Sequence, residues 1–370
     1  MSTNKMTPID TSTKNTDLWQ SYEQAKSESK MLFPTEGSQK LGVSELELLL
    51  ASPDSQYLGS QCVDALNALT KLPTEKLESI VRNDFAVHEK LGKFQNLKAG
   101  KKMGIMLNVG GLDLRYFMSK WKHILAVTNT KNNKRAIHSI QFFDGHGNAI
   151  NKVYLKNMDD LPHWQSMLDE IITSMGNNAE AKVIELDAPE DLKDWQLKTL
   201  SDENKKTLHE KWLGMTDVHQ FFGILADLEI DRASSYIQAP EGMATKLNPH
   251  ACEQLLNLVQ QKACPIMIFV GNTGVVQIQT GTVKTVNRMG DWLNILDKDH
   301  NDFTLHLKDS GISQLWWVKR PIVDGYVTCI EAFDDKGRTI ATIFGQRQEG
   351  NPELDLWVEI TDQIAKDYAA

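Results

Sequence analysis

The chain has 370 residues, 41% of them hydrophobic and 24% charged, with a formal net charge of -9 at pH 7. That length suits two domains, each able to bury its own core. The acidic balance argues against broad nucleic-acid or anionic-membrane binding, which wants a basic surface, and no apolar run approaches the roughly 20 residues that cross a bilayer. Residues 1–8 lack the apolar centre of a signal peptide, so the cytoplasm is the expected compartment. Cys62, Cys252, Cys264 and Cys329 show no C-x-x-C spacing and are expected to be ordinary reduced thiols.

Residues 1–17 are rich in Ser, Thr, Asn and Lys without apolar periodicity, which predicts a disordered tail. Helical patterning starts near Asp17-Leu-Trp-Gln and continues through residues 44–51 and 63–72. From Asp84 the apolar period falls to two, predicting strands over residues 85–88, 93–97, 104–109, 123–128, 136–143 and 151–155. Turn residues separate them, including Lys131-Asn-Asn-Lys134 and Asp144-Gly-His-Gly-Asn148. A helix from about Leu161 to Met175 closes the first half.

The second half repeats the first. At an offset of 190, Ile137, Ile140, Phe143, Asp144, Gly147, Ile150, Val153 and Tyr154 fall on Val327, Ile330, Phe333, Asp334, Gly337, Ile340, Ile343 and Phe344. Leu107-Asn-Val109 is likewise similar to Leu293-Asn-Ile295, and Leu114-Arg115 falls against Leu305-His306 at a nearly equal offset. The expected fold is therefore α+β, an internal tandem duplication in which each half has helices followed by a large antiparallel sheet. The expected division is a tail over 1–17, a first repeat over 18–185, an acidic, Pro-containing linker over 186–205 and a second repeat over 206–370.

At the helical start of the second repeat, the stretch Met215-Thr-Asp-Val-His-Gln-Phe-Phe-Gly-Ile-Leu-Ala-Asp-Leu-Glu-Ile-Asp-Arg232 carries one histidine beside an apolar stripe of Val218, Phe221, Phe222, Leu225 and Leu228. Thr216 suits an N-cap and Asp217 the first turn, which puts His219 about three residues into the helix. There the positive end of the helix dipole disfavours imidazolium and keeps a nitrogen lone pair free for a metal. Gly223 and Ala226 leave the surface beyond the imidazole flat enough for a planar group, and a glycine inside a helix costs about 1 kcal/mol relative to alanine. The same pattern also fits a hydrogen-bonded core histidine, and the stretch alone leaves both open.

The run Met215 to Phe222 resembles the axial-ligand segment of the HemS/ChuS/HmuS family, bacterial haem-utilisation proteins described as haem-degrading factors and as cytoplasmic haem carriers. Asn83-Asp-Phe-Ala-Val-His-Glu89, Leu112-Asp-Leu-Arg-Tyr-Phe117, Ile140-Gln-Phe-Phe-Asp144, Phe269-Val-Gly-Asn272, Trp292-Leu-Asn-Ile295, Phe303-Thr-Leu-His-Leu307, Asp324-Gly-Tyr-Val-Thr328 and Gly345-Gln-Arg347 resemble it in order. The resemblance implies haem b (iron protoporphyrin IX), one per chain, with His219 as the proximal ligand of the metal. It implies Arg232, Arg320 and Arg347 as partners for the two propionates, because a guanidinium fork makes paired, charge-assisted bonds to carboxylate. Phe269 and Phe344 become walls. Arg115, supplied by the first repeat with Phe117 beside it, becomes the distal and catalytic arginine; its alternative is a salt bridge to Asp113.

Three departures stand out. Arg320 replaces the family's usual lysine, Phe344 its tyrosine and Thr342 its glutamine, which removes hydrogen bonds from the propionate edge. His88, His123, His138 and His306 fall in strand patterns without ligand spacing and are expected as core or surface residues. Leu315-Trp-Trp-Val318 reads as sheet packing, and the lysines of residues 98–102 and 131–135 as solvated turns. The resemblance implies either a haem-degrading enzyme served by an external electron donor, such as a reductase, NAD(P)H or an ascorbate-like reductant, or a carrier that takes haem from an importer and delivers it to a separate haem oxygenase. A repeat protein with no cofactor is the third reading.

Overall fold

The computed structural model describes residues 8–29, 32–130, 136–175, 183–190, 192–347 and 350–370. The chain forms two compact units, one of Met1–Val81, Glu89–Asp191 and Asn272–Gln277, the other of Arg82–His88, Leu192–Gly271 and Ile278–Ala370. Each unit thus takes in a short segment from the opposite half of the sequence. The reason is visible inside each unit: the Phe85 carbonyl accepts from Lys308 N at 2.7 Å, and the Gly274 carbonyl accepts from Phe117 N and Trp121 Nε1, both at 2.8 Å.

In the first unit, strands Ser55–Gly59, His123–Asn129, Ile137–Phe143, Ala149–Leu155 and Leu77–Arg82 lie side by side in that order. Leu97–Ala99, Gly104–Met106 and Asp113–Tyr116 form an antiparallel run. Helices Cys62–Thr70 and Leu161–Met175 contribute Leu66, Leu69, Trp164 and Ile171 to a core with Ile140, Phe142 and Val153. Helix Glu45–Leu50 starts on a capping box, in which Ser44 Oγ accepts from Glu47 N and Glu47 Oε2 from Ser44 N.

The second unit has strands Ala244–Leu247, Gln314–Ile322, Gly325–Phe333, Thr339–Gly345 and Pro265–Gly271 in order. Alternation, interrupted by one irregularity at Ala332/Phe333, gives this sheet two apolar faces. One, with Ile266, Ile268, Ile330 and Ile343, packs on helices Ala251–Gln261 and Asp355–Tyr368 through Leu255, Leu256, Trp357 and Ile360. The other, with Trp316, Val318, Cys329 and Phe333, lies under Trp212, Phe221, Ile224 and Tyr236. Both Trp316 and Trp317 are buried, in keeping with sheet packing.

The expected repeat is present at atomic detail. Ile140 pairs with Val153 in one unit and Ile330 with Ile343 in the other, each pair displaced by the same 190 positions. The connecting turns are also the same: Asp144 Oδ1 accepts from His146 N and Asn148 N, and Asp334 Oδ1 from Lys336 N and Arg338 N. Gly147 and Gly337 sit at φ of 80° and 75°, where a side chain would be strained.

The ends of the expected segments differ. Ile9–Asp10 pairs antiparallel with Val183–Ile184, and helix Thr16–Glu28 begins with Asn15 accepting from Leu18 N. The Ser- and Thr-rich composition conceals these local partners, so order begins before residue 17; residues 1–7 lie outside the described residues. The stretch expected as a linker is divided between the units: in the first, Asp187 N donates to the Gly145 carbonyl; in the second, Trp195 N donates to the Asp335 carbonyl and Trp195 Nε1 to Asp231 Oδ1, and helix Asp202–Leu213 already starts inside the stretch. The turn Lys131-Asn-Asn-Lys134 lies outside the described residues. No described helix is long and apolar enough to cross a membrane.

Candidate functional site

Helix Asp202–Leu213 ends at Gly214, Met215 turns into the core, and the chain then enters a turn pinned on several sides. Gln220 Oε1 accepts from Thr216 N at 2.8 Å and Asp217 N at 3.2 Å, and the Thr216 carbonyl accepts from Val323 N at 3.1 Å. Asp217 Oδ1 accepts from His219 N and pairs with His219 Nδ1, both at 2.7 Å. The bonds around Asp217 hold its carboxyl below the usual range, the His219 backbone N–H first and its imidazole second.

His219 is itself the N-cap residue of helix Gln220–Asp227, with φ -70° and ψ -21°, and not a residue one turn inside it. The segment ahead of the helix is wound more tightly than an α-helix: Gln220 N donates to the Asp217 carbonyl and Phe221 N to the Val218 carbonyl, each three residues back, at 3.2 Å. The apolar stripe also divides differently. Phe221, Ile224 and Leu225 are buried, whereas Phe222 is 59% exposed. Exposed Phe222, Gly223 and Ala226 follow the His219 side chain, itself 86% exposed, at three, four and seven residues, which is one helix face. A Cβ added at Gly223 would meet nothing within 4 Å. His219 is therefore not a core histidine.

Arg232 opens helix Arg232–Ile237, and its guanidinium lies 5.2 Å from the Phe222 ring centroid. Its Nη1 donates to Glu331 Oε2 at 2.9 Å. The other Glu331 oxygen accepts from Arg320 Nη2 at 2.7 Å, and the same nitrogen donates to Tyr236 Oη at 2.5 Å. Burial pushes the Glu331 carboxyl up, but the Arg232 and Arg320 guanidiniums outweigh it and bring it down to about 2. Two cations around one buried carboxylate leave a net positive charge, which suits an anionic group.

Arg320 lies deeper than Arg232: its side chain is 7% exposed, stacks at 4.5 Å over Phe221 and is held by Glu331 and Tyr236. The missing piece of the sequence reading was Glu331. A lone acid in the apolar strand run Thr328-Cys-Ile-Glu-Ala-Phe333 was the signal that could have found it.

The apolar walls lie on the same sheet face as Glu331. Thr342 is directly opposite both Glu331 and Phe269, and Phe344 is opposite Met267 and Cys329. The Phe269 and Phe344 rings meet edge to face at 5.1 Å and are half-buried. Arg347 donates Nη2 to the Asn351 carbonyl at 3.4 Å and is near enough to act on the charges of Asp217 and Glu353. The second unit thus brings His219, Arg232, Phe269, Phe344 and Arg347 to one region of its surface and core edge.

In the first unit, Arg115 lies on strand Asp113–Tyr116 and makes the ion pair with Asp113 that was its alternative assignment, while Phe117 is half-buried. The four histidines expected as core or surface residues are placed in that way. His88 is buried against Phe303 at 4.8 Å, His123 is bonded to Tyr57 Oη at 3.0 Å, His138 to Thr128 Oγ1 at 3.1 Å, and His306 to Asn294 Oδ1 at 2.6 Å. All four cysteines are buried. The residues present fit a planar, carboxylated, metal-centred ligand: an exposed imidazole with Nε2 unspent, a flat helix face, half-buried aromatics and a cation-rich edge.

The chain belongs to the family described as the haemin-degrading HemS.ChuX domain, which matches residues 42–171 and 229–364, one stretch per repeat. It is 35% identical over 360 residues to the hemin transport protein HmuS of Yersinia pestis, covering 96% of this chain and 100% of that one. Among solved structures it is similar to holo-PhuS, a heme-binding protein from Pseudomonas aeruginosa, with a TM-score of 0.84 and 30% identity over 96% of this chain and 99% of that one. It is also similar to the heme degrading enzyme ChuS of Escherichia coli O157:H7, with a TM-score of 0.80 and 31% identity over 94% and 98% of the two chains.

Proposed function

We propose that this protein binds one haem b per chain through His219 Nε2 and degrades it in the cytoplasm with electrons from an external donor. The observation that carries the reading is the exposed His219, engaged by Asp217 at Nδ1 and followed along its helix face by Phe222, Gly223 and Ala226. Family membership and the names heme-binding protein and heme degrading enzyme borne by its relatives support it. Bound haem would supply redox-active iron and the ring that is opened.

The protein's part is to bind, orient and stabilise charge. Arg232, already held on one side by Glu331, gives its remaining donors to a propionate, and Arg347 adds a second cation. Phe222, Phe269 and Phe344 provide apolar contact, while Thr342 and Phe344 leave the propionate edge with fewer hydrogen-bond donors than tyrosine and glutamine would. Arg115 carries, by resemblance, the role of stabilising negative charge as it develops. Its pairing with Asp113 would first have to be shared or exchanged.

A second reading, a carrier that takes haem from an importer and passes it to a separate oxygenase, is favoured by the exposure of His219 and Phe222, since an open ligand is accessible to a recipient. The deciding experiment incubates the haem complex with ascorbate or NADPH plus a reductase, with catalase present, and follows the Soret band and the ring-opened product. Catalase-insensitive loss with product release is expected. Haem that survives, or loss abolished by catalase, overturns degradation in favour of the carrier.

A further inference from the structure

We infer that Asp217 is a positioning residue for His219: it holds the imidazole by Nδ1–H and thereby makes Nε2 the atom presented to iron. The inference rests on His219 being the ligand, and adds which nitrogen coordinates and what fixes it. Both bonds run to a single oxygen, Asp217 Oδ1, at 2.7 Å from the backbone nitrogen and 2.7 Å from Nδ1 of His219. One carboxylate oxygen therefore sets the backbone position and the ring orientation together.

Asp217 is held in its turn. Its own backbone N–H donates to Gln220 Oε1, which also takes the Thr216 N–H, while Gln220 Nε2 reaches Thr216 Oγ1 at 3.3 Å. The hairpin tip closes the frame through the bond from Val323 N to the Thr216 carbonyl. The imidazole and the carboxylate are both exposed, at 86% and 51% of their side chains, so neither is placed by packing. An exposed pair contributes little to stability, which makes orientation the effect to look for.

A carboxylate on Nδ1–H does two things to a coordinating imidazole. It selects the tautomer with an unprotonated Nε2, and it raises the donor strength of that nitrogen by drawing the Nδ1 proton towards itself. A purely structural role, accepting the His219 backbone N–H, is served equally well by asparagine, whose side-chain oxygen accepts the same bond. Charge and geometry can therefore be separated by substitution.

Two measurements on the full-length protein test this. In ligand-free, 15N-labelled protein at a pH where imidazole is neutral, long-range 1H–15N correlations should place the His219 proton on Nδ1. In Asp217→Ala it should move mainly to Nε2, and Asp217→Asn should restore Nδ1–H. In the ferrous haem complex, resonance Raman spectroscopy should show the iron–histidine stretch shifting to lower frequency in Asp217→Ala and to an intermediate value in Asp217→Asn. An Nε2–H tautomer in the unsubstituted protein, or an iron–histidine stretch unmoved by Asp217→Ala, overturns the inference. Loss of the stretch in His219→Ala keeps the ligand assignment standing through such a failure, whereas a ferric spectrum untouched by His219→Ala brings down the assignment itself and the inference with it.

Discussion

The guanidinium of Arg232 lies 5.2 Å from the ring of Phe222 and at the same time donates to Glu331, so one arginine joins an exposed aromatic face to a buried charge cluster. A cation on an aromatic ring is held by the ring quadrupole. Arg232 is thereby held on two sides without being enclosed, its side chain keeping 24% exposure. That is a suitable state for a residue that takes a carboxylate.

Arg232 and Arg320 are expected to separate in their effects. Arg232→Ala should weaken haem binding by about 1.5 to 3 kcal/mol and leave the fold intact, because Arg320 still neutralises Glu331. Arg320→Ala removes the inner partner of a carboxylate that is 1% exposed and should cost about 3 to 5 kcal/mol of stability. Haem titration and denaturant unfolding of the two variants check this, and equal destabilisation by both would contradict it.

His219→Ala should weaken haem binding and change the ferric spectrum more than alanine at His88, His123, His138 or His306. Those four sit in strand regions and bond or stack with neighbours, whereas the His219 ring projects from a helix start. Absorption spectra of the five variants decide it.

Gly223 offers a steric test on the same helix face. With nothing within 4 Å of an added Cβ, Gly223→Ala should stabilise the ligand-free protein by up to about 1 kcal/mol, since alanine is the better helix former. Gly223→Leu should fold equally well yet lose haem affinity at least about tenfold by covering the flat face beside His219. Thermal unfolding and haem titration check this, and an unchanged haem affinity in Gly223→Leu would show that the face is not used.

Arg115→Ala should leave affinity nearly unchanged and slow reductant-driven haem loss at least about tenfold, roughly 1.4 kcal/mol of barrier, if its charge acts in the transition state. The measurement is single-turnover haem loss with catalase present. An unchanged rate would leave Arg115 as the partner of Asp113 alone.

Acid should destabilise the first unit through His123. Burial lowers its pKa to about 4 from the ordinary 6.5, Lys122 adding to the effect and Asp187 opposing it. Between those values the unfolded chain binds a proton that the folded chain refuses, so stability falls as pH drops from 6.5 towards 4. The loss attributable to this group is about 2 kcal/mol between pH 7 and pH 5. His123→Phe should remove that part of the pH dependence, read from urea unfolding at both pH values.

Much of this protein is written locally. The offset of 190 between Ile140, Asp144 and Val153 and their counterparts Ile330, Asp334 and Ile343 shows the duplication, because a strand, an aspartate-centred turn and a returning strand are specified by residues within reach of one another. The same holds for the presence of a helix beside His219 and for the flat face made by Gly223 and Ala226, both consequences of 3.6-residue periodicity, but not for the helix start, expected after Thr216 and found at Gln220. What sequence does not contain is the choice of partner across the fold. Arg320 looks like a surface cation until Glu331 and Tyr236 enclose it, Arg232 finds Glu331 from 99 positions away, and Phe222 is apolar by type yet left in solvent. Burial and charge pairing depend on which distant segments converge, and only tertiary structure decided that.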